Sequence, residues 1–446
     1  MPVERLTAED RVMIWADRIW PQDIGALAIL EGAISIEAVK AVVAARLEGV
    51  PRFRQVLRVP DRRLGGPYWT DDPAFDLGNH LRTVGLPAQA DEATLLTAVE
   101  ALRRTRLDPA RPLWEMWLLT GLPAGRTGLF VRTHHSVADG IAGVATLASF
   151  LDTEPDSTPA GEAVWQPAPG PTEAELAADA RTRRRAARQG RLSSIVHPMA
   201  SARRLTRALP ALHELFAEPS IPATALDRRV GAARQFATVR TRLDVVKAIA
   251  RADGAKVNDV FLAAISGGLR RLFAARGERP PEIMRAYVPV SLRQGRYAGA
   301  RGNSIAEMVV PLPTGVADPL TALSAIGVET AKRKARARPS VGGLPTHGLA
   351  GLVMLKLIDR QHVNVATADL PGPPVPLYLA GARLAELFPI IPLIGNVPLG
   401  IGAISYAGAF DIGIVADPET VPDIDAMAAG VSETLAALER SVRAAA

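Results

Sequence analysis

From residue 152 to about residue 171 the chain becomes rich in Pro, Glu, Thr and Ala. Such a stretch buries little and serves as a solvated connector, so a chain divided by it is expected to build a core on each side. Strand-like and helix-like pieces alternate both before and after it. Before it, the apolar strand "IGALAILEG" leads into "SIEAVKAVVAARLEG", where Ser35 is placed to cap a helix whose Ile36, Val39, Val43 and Leu47 share a face. A strand at "RFRQVLRV", an amphipathic helix at "DEATLLTAVEALRRTRLD", and a hairpin of "LWEMWLLTGL" and "TGLFVRTHH" about "PAGR" follow. After it, a basic helical stretch interrupted near Gly190 and Pro198 precedes a second series. That series has a strand from Gln235, helices from Asp244 and Asn258, strands at "MRAYVPVSLR" and "SIAEMVVPLP", and a helix near residues 348–359. Strands near residues 363–367, 401–406 and 410–415 and a closing helix from about Val421 complete it. The expected organisation is a first lobe at 1–151, a partly helical, basic connector at 152–234 and a second lobe at 235–446. Together they form an α/β (α+β) sandwich of mixed sheets covered by helices. The length of 446 residues also exceeds the roughly 250–300 at which single cores stop growing.

Cysteine is absent, which excludes disulfides, thiolate metal sites and acyl-cysteine intermediates. The opening "MPVERLTAEDRVMIW" carries charges where a signal peptide needs an unbroken apolar run, so the chain reads as cytoplasmic. The longest uncharged stretch, residues 387–410, contains three prolines and four glycines, which forbid a continuous membrane-spanning helix. It reads as an apolar loop, a candidate wall for a greasy ligand, leading into a strand near residues 401–406. The net charge of +6 suits an anionic partner, whether a membrane surface or a phosphorylated substrate.

The chemistry concentrates in "RTHHSVADGIAG", residues 132–143. The chain has only seven histidines, yet His134 and His135 stand side by side at the end of a strand. Strand side chains alternate in direction, so one imidazole is expected to face a cleft and the other to be packed or hydrogen-bonded within the lobe. Asp139 and Gly140 fall where the chain turns into the helix "GIAGVATLASFL", and a short acid suits a helix N-terminus. Three readings fit the cluster. The histidines are satisfied structural residues with Asp139 as a cap; or two His and a carboxylate hold a metal, which diverging neighbours on a strand chelate poorly; or one imidazole is a general base. A neutral imidazole takes the proton from an alcohol or amine as that group attacks an activated acyl carbon, then returns it to the leaving group. This last reading requires neither metal nor cysteine.

"HHSVADG" matches the HHxxxDG motif of the coenzyme A dependent acyltransferase superfamily, which includes chloramphenicol acetyltransferase-like enzymes and peptide-synthetase condensation domains. With "PLW" at 112–114, "VNDVFLAA" at 257–264, "VPVSLR" at 288–293, "GNSIAEMVVPLP" at 302–313 and "ISYAGAFDIGIVADPETVPD" at 404–423, nearly the whole chain resembles the bacterial wax ester synthase/diacylglycerol acyltransferase family. The resemblance implies a two-lobe chloramphenicol acetyltransferase-like sandwich with a channel between the lobes. Acyl-CoA would enter from one side as cosubstrate and a long-chain alcohol or diacylglycerol from the other, with no cofactor and no metal. It implies His135 as general base, His134 as its support, Asp139 as a structural acid paired with Arg293, and Gly140 as the small residue that permits the turn. Asn258 would polarise the thioester carbonyl; an amide donor aimed at an oxyanion is worth roughly 3 kcal/mol. Plain helix capping is the competing reading of Asn258. Trp114, Trp117 and Ser136 are candidates for lining the channel, but the alternation along "WEMWLL" describes first a strand buried on both faces, with channel lining as the second reading. The sequence departs from the family in one place. The family's Asn-Val-Pro-Gly-Pro element corresponds to "ATADLPGP" at 366–373, where Asp369 and Leu370 replace the Asn-Val pair, a change that bears on acceptor preference more than on chemistry.

The arginines of "RTRRRAARQGR" (181–191) have no interleaved aromatic residue, which argues against nucleic acid. They read as a solvated helix or as a peripheral contact with an anionic membrane or lipid-droplet surface. The expected function is fatty acyl transfer from CoA to a long-chain alcohol or diacylglycerol. The competing expectations are esterification of a specialised metabolite, or a lipid-binding protein that keeps the fold without catalysis.

Overall fold

A computed structural model describes residues 3–138, 140–156, 165–196, 223–291, 305–336 and 363–445. The first series opens with α1 (Ala8–Ala16) and β1 (Asp23–Glu31). Ser35 caps α2 (Ile36–Arg46), its hydroxyl accepting the Ala38 amide at 3.1 Å, and Val39, Val42 and Val43 form the buried face. β2 (Gln55–Arg58) and β3 (Tyr68–Asp71) make a separate ribbon, followed by β4 (Leu81–Gly85) and α3 (Glu92–Arg103). The expected hairpin is β5 (Trp114–Thr120) against β6 (Thr127–His134), and α4 (Gly140–Ser149) opens just past the histidine turn. The basic helix, α5 (Glu173–Val196), runs through Gly190 without the interruption expected there. One glycine costs a helix about 1 kcal/mol, which 24 residues of continuous helix outweigh. Pro198 and the helix expected near residues 348–359 lie outside the described residues.

The second series comprises β7 (Gln235–Arg242), α6 (Leu243–Ala252), α7 (Val257–Ala275), β8 (Met284–Ser291), β9 (Ile305–Leu312), α8 (Pro319–Arg336), β10 (Val365–Pro371), β11 (Tyr378–Leu379), β12 (Ala382–Ile390), β13 (Leu399–Tyr406), β14 (Ala409–Ala416) and α9 (Ile424–Ala445). α7 is apolar on nearly every side, with Val260 to Ile265 all buried, because it is enclosed between the sheet, α8 and α9. The helix α8 had no counterpart in the sequence reading.

Among the described residues the strands form two six-stranded sheets, in the orders β11-β12-β1-β6-β5-β4 and β7-β14-β13-β10-β8-β9. Two lobes were expected, but not the exchange between them. β11 and β12 come from the second series and yet pair into the first sheet, β12 lying antiparallel to β1 with Pro389 opposite Ala26. Residues 387–390, expected as loop, are therefore the end of a strand. A proline is tolerated there because β11 reaches only Ala382 and Arg383, leaving β12 beyond them with one pairing edge free of any need for a donor.

The exchanged strand runs directly over the second sheet. Gly402 of β13 stands opposite Gly413 of β14, and with Gly400 they form a trough with no side chains. A Cβ added to Gly413 would fall 2.1 Å from the Pro389 carbonyl oxygen, and one added to Gly402 2.9 Å from the Pro389 ring. Gly402 and Gly413 are thus explained by the close approach of Pro389, and Gly400 by the side chains of Ile391 and Leu393, which a Cβ would meet at 2.9 and 3.0 Å. Polar ties join the lobes beside this crossing. Arg240 of β7 donates to Glu92 of α3 at 3.1 Å and to Glu386 of β12 at 2.9 Å, and the buried Asp411 carboxylate accepts the Leu387 amide at 3.0 Å.

Candidate active site

The turn after β6 is pinned at four successive amides, those of residues 134 to 137. Asp23 of β1 pairs with His134 at the strand end. The His134 amide donates to the Leu113 carbonyl at 2.9 Å, the His135 amide to the Gln22 carbonyl at 2.9 Å, and the Val137 amide back to His134 at 2.8 Å. Thr133 also donates its hydroxyl to the Leu113 carbonyl at 3.0 Å. The "PLW" element therefore acts through its backbone, as the clamp that holds the end of the histidine strand.

Trp114 is a core residue. It is fully buried, its indole N–H donates to the Phe53 carbonyl at 2.6 Å, and its two ring neighbours, Phe53 and His80, each stack on it at 4.5 Å. With Phe53 and His80 stacked on it, it offers no surface to a channel, so the core reading of the segment holds for Trp114 and the channel-lining one does not. Trp117 points to the other side of the strand, half-buried, under the Arg82 guanidinium at 5.0 Å. Ser136, also offered as channel lining, is buried and bound to His134.

The two imidazoles differ in surroundings. His134 is buried at 4% exposure, and His135 is half-buried. Nδ1 of His134 lies 2.8 Å from the Ser136 hydroxyl and accepts the Ser136 amide at 3.1 Å. Burial is the largest influence on this ring and pushes its pKa down; the Asp17 charge opposes that and the neighbouring His135 adds to it. His134 is therefore neutral near pH 7. Gly140 begins α4, which packs against β10 of the second sheet and so bridges from the turn to the other lobe. Asp139 and Arg293, and the ion pair expected between them, lie outside the described residues.

Asn258 is the second residue of α7, half-buried, and Lys256 occupies the N-cap position. Helix capping by Asn258, the competing reading, is not what the geometry has. Its neighbour Asp259 performs that task, accepting the Lys256 amide at 2.8 Å and the Thr330 hydroxyl at 2.7 Å. The Asn258 carboxamide makes no hydrogen bond among the described residues.

Asp369, at the place of the family's asparagine, sits near the end of β10 opposite Ala403. Burial alone pushes its carboxyl up, to about 6. A folded-state pKa above the unfolded one means that the folded chain binds the extra proton. Stability is thus fully kept below the unfolded value of 3.8, falls as pH rises toward about 6, and stays lowered above it. Asp369→Asn is expected to stabilise the chain by roughly 1–2 kcal/mol at about pH 8, less than the full shift implies because the group is partly solvated. Urea denaturation at about pH 8 and about pH 4 checks it, with the gain vanishing at the lower pH.

Sequence reasoning missed Asp17, Gln22 and Glu115. Glu115 takes the buried Arg132 guanidinium at 2.7 Å one residue pair below the turn. None of the three stands near the histidines in sequence, and no local signal marks them.

Two sheets joined by an exchanged strand, with a histidine turn at the end of the first and a helix from that turn laid on the second, define the two-lobe class shared with peptide-synthetase condensation domains. The wax ester synthase/diacylglycerol acyltransferase from Marinobacter aquaeolei VT8 superposes with a TM-score of 0.72 at 24% identity, covering 98% of this chain and all of that one. The starter condensation domain of rhizomide synthetase, solved with C8-CoA, gives 0.61 at 16% identity over 99% of this chain and 95% of that one. The family model for the wax ester synthase/diacylglycerol acyltransferase catalytic domain matches residues 6–261, and that for the WS/DGAT C-terminal domain matches residues 301–439. A protein of Mycobacterium tuberculosis named a probable diacylglycerol O-acyltransferase is 31% identical over 97% of this chain and 93% of its own length. The chain belongs to the wax ester synthase/diacylglycerol acyltransferase family.

Proposed function

We propose that the chain transfers a fatty acyl group from acyl-CoA to the hydroxyl of a long-chain alcohol or diacylglycerol, with His135 as general base. The observation that carries this reading is the division of labour in the histidine pair. His134 is buried and hydrogen-bonded, whereas His135 is half-buried on a turn whose backbone is fixed, as a base that must meet an incoming hydroxyl requires. His135 takes the hydroxyl proton as the oxygen attacks the thioester carbonyl carbon. A C–O bond forms, the carbonyl electrons move onto oxygen, and their return breaks the C–S bond. The proton then passes from His135 to the departing CoA sulfur. Asn258 is the candidate donor to the transient oxyanion. The chain's own residues supply this chemistry, and acyl-CoA is a substrate.

The test is an acceptor panel with free CoA as readout: long-chain alcohol, diacylglycerol, an amino alcohol and a hydroxylated polyketide. Ester with either of the first two supports the reading. Transfer confined to the others points to a specialised metabolite, and lipid affinity without turnover points to a binding protein.

We further propose that α5 brings the protein to anionic lipid. Among the described residues no helix is long and apolar enough to cross a membrane. α5 is fastened to the first lobe by Arg5 and Asp179 at 2.8 Å and by the buried Leu176 and Ala180, and its Arg181, Arg183, Arg184, Arg185 and Arg188 are exposed. Replacing Arg183, Arg184, Arg185 and Arg188 with Gln is expected to reduce co-sedimentation with anionic liposomes by about tenfold or more at low salt. Unchanged co-sedimentation would remove this part of the proposal.

A further inference from the structure

We propose that Asp17 is a positioning residue for the histidine pair, holding the His134 imidazole in its Nε2–H tautomer against the turn that carries His135. The inference rests on the general-base reading above. Nδ1 of His134 accepts the Ser136 amide at 3.1 Å and lies 2.8 Å from the Ser136 hydroxyl. An amide N–H can only donate, so Nδ1 is an acceptor and the proton of the neutral ring is on Nε2. That Nε2 is buried with no hydrogen-bond partner among the described residues, a condition that favours any arrangement giving it an acceptor. Asp17 Oδ1 stands 3.8 Å away, outside hydrogen-bond distance but near enough for its charge to act on the ring.

Asp17 is itself held. Its Oδ1 accepts the Gln22 amide at 2.8 Å, and the Arg106 guanidinium lies 3.3 Å from Oδ2. The carbonyl of that same Gln22 accepts the His135 amide at 2.9 Å. The short connection between α1 and β1 therefore reaches both histidines, one through the charge of a carboxylate 3.8 Å away and the other through its backbone. A shift of Asp17 would loosen His134, and with it the turn that sets where His135 points. Around His134, the charges of Asp17, Asp23 and Asp10 favour protonation, while burial and His135 oppose it.

The test uses the full chain with ring-15N-labelled histidine. The wild-type spectrum near neutral pH is expected to show His134 as the Nε2–H tautomer, and this measurement needs no variant to fold. In Asp17→Asn the His134 pKa is expected to move further down, with kcat reduced about tenfold or more and the KM for acyl-CoA held within about twofold, because an acid that orients the neighbour of the base acts without touching substrate. Asp17→Ala, which removes the acceptor oxygen as well, is expected to lose more. An Nδ1–H tautomer in the wild type would overturn the proposal. So would Asp17 variants with normal kcat and unmoved His134 resonances beside an inactive His135→Ala, a result that leaves the general-base reading standing. Full activity in His135→Ala would remove that reading and this proposal with it.

Discussion

His135→Ala is expected to lower kcat by roughly a hundred- to ten-thousand-fold, the range that a positioned general base contributes, with little change in melting temperature. The ring is half-buried, so its removal opens no sealed cavity, and the backbone bond from residue 135 to the Gln22 carbonyl does not depend on the side chain. The KM for acyl-CoA should hold, since the base acts on the acceptor hydroxyl. His134→Ala makes the useful contrast. Its ring is buried and bound to Ser136, so that substitution should lower both stability and turnover. Initial rates and thermal melts on the two variants separate the chemical residue from the supporting one.

Gly413→Ala is expected to be the most damaging glycine-to-alanine change against backbone among the described residues. The new Cβ would meet the Pro389 carbonyl oxygen at 2.1 Å, and a backbone atom in a paired strand cannot step aside as a flexible side chain does. Either β12 leaves the first sheet's register or the second sheet bends, at a cost on the order of 3 kcal/mol or more. Because β12 carries the crossing between lobes, transfer activity should fall along with stability. Gly85→Ala is the control: a Cβ there meets nothing within 4 Å, and its effect should stay within about 0.5 kcal/mol. Urea denaturation of the two variants beside the wild type decides the matter.

Much of the site could be read from the chain because its signals are local. The hairpin of β5 and β6 follows from two apolar strands about a Pro-Gly turn, and the position of the histidine pair at a strand end follows with it. Ser35 announces α2 by standing one residue before an apolar face. The features that escaped are those set by distant contacts. β12 carries Pro389, which argues against a strand until the short reach of β11 is known. Gly402 and Gly413 fall within strands the sequence shows, but nothing local says why those positions are glycine until Pro389 is found lying across them. Asp17 is separated from His134 by four of the first sheet's strands, and the β1–β6 pairing brings them together. Trp114 reads from its strand as core, with channel lining as the second reading, and only the stacking of Phe53 and His80 on its faces decides between them.

The central claim is that His135 passes the acyl group straight from CoA to an acceptor hydroxyl, and rapid-quench measurement of CoA and ester together tests it most directly. With acyl-CoA and a long-chain alcohol or diacylglycerol, one ester should appear for each CoA released, and with acyl-CoA alone no CoA should be released in the first turnover. A burst of free CoA matching the enzyme concentration before any acceptor is added would mean that the acyl group had moved onto the protein, and would contradict it.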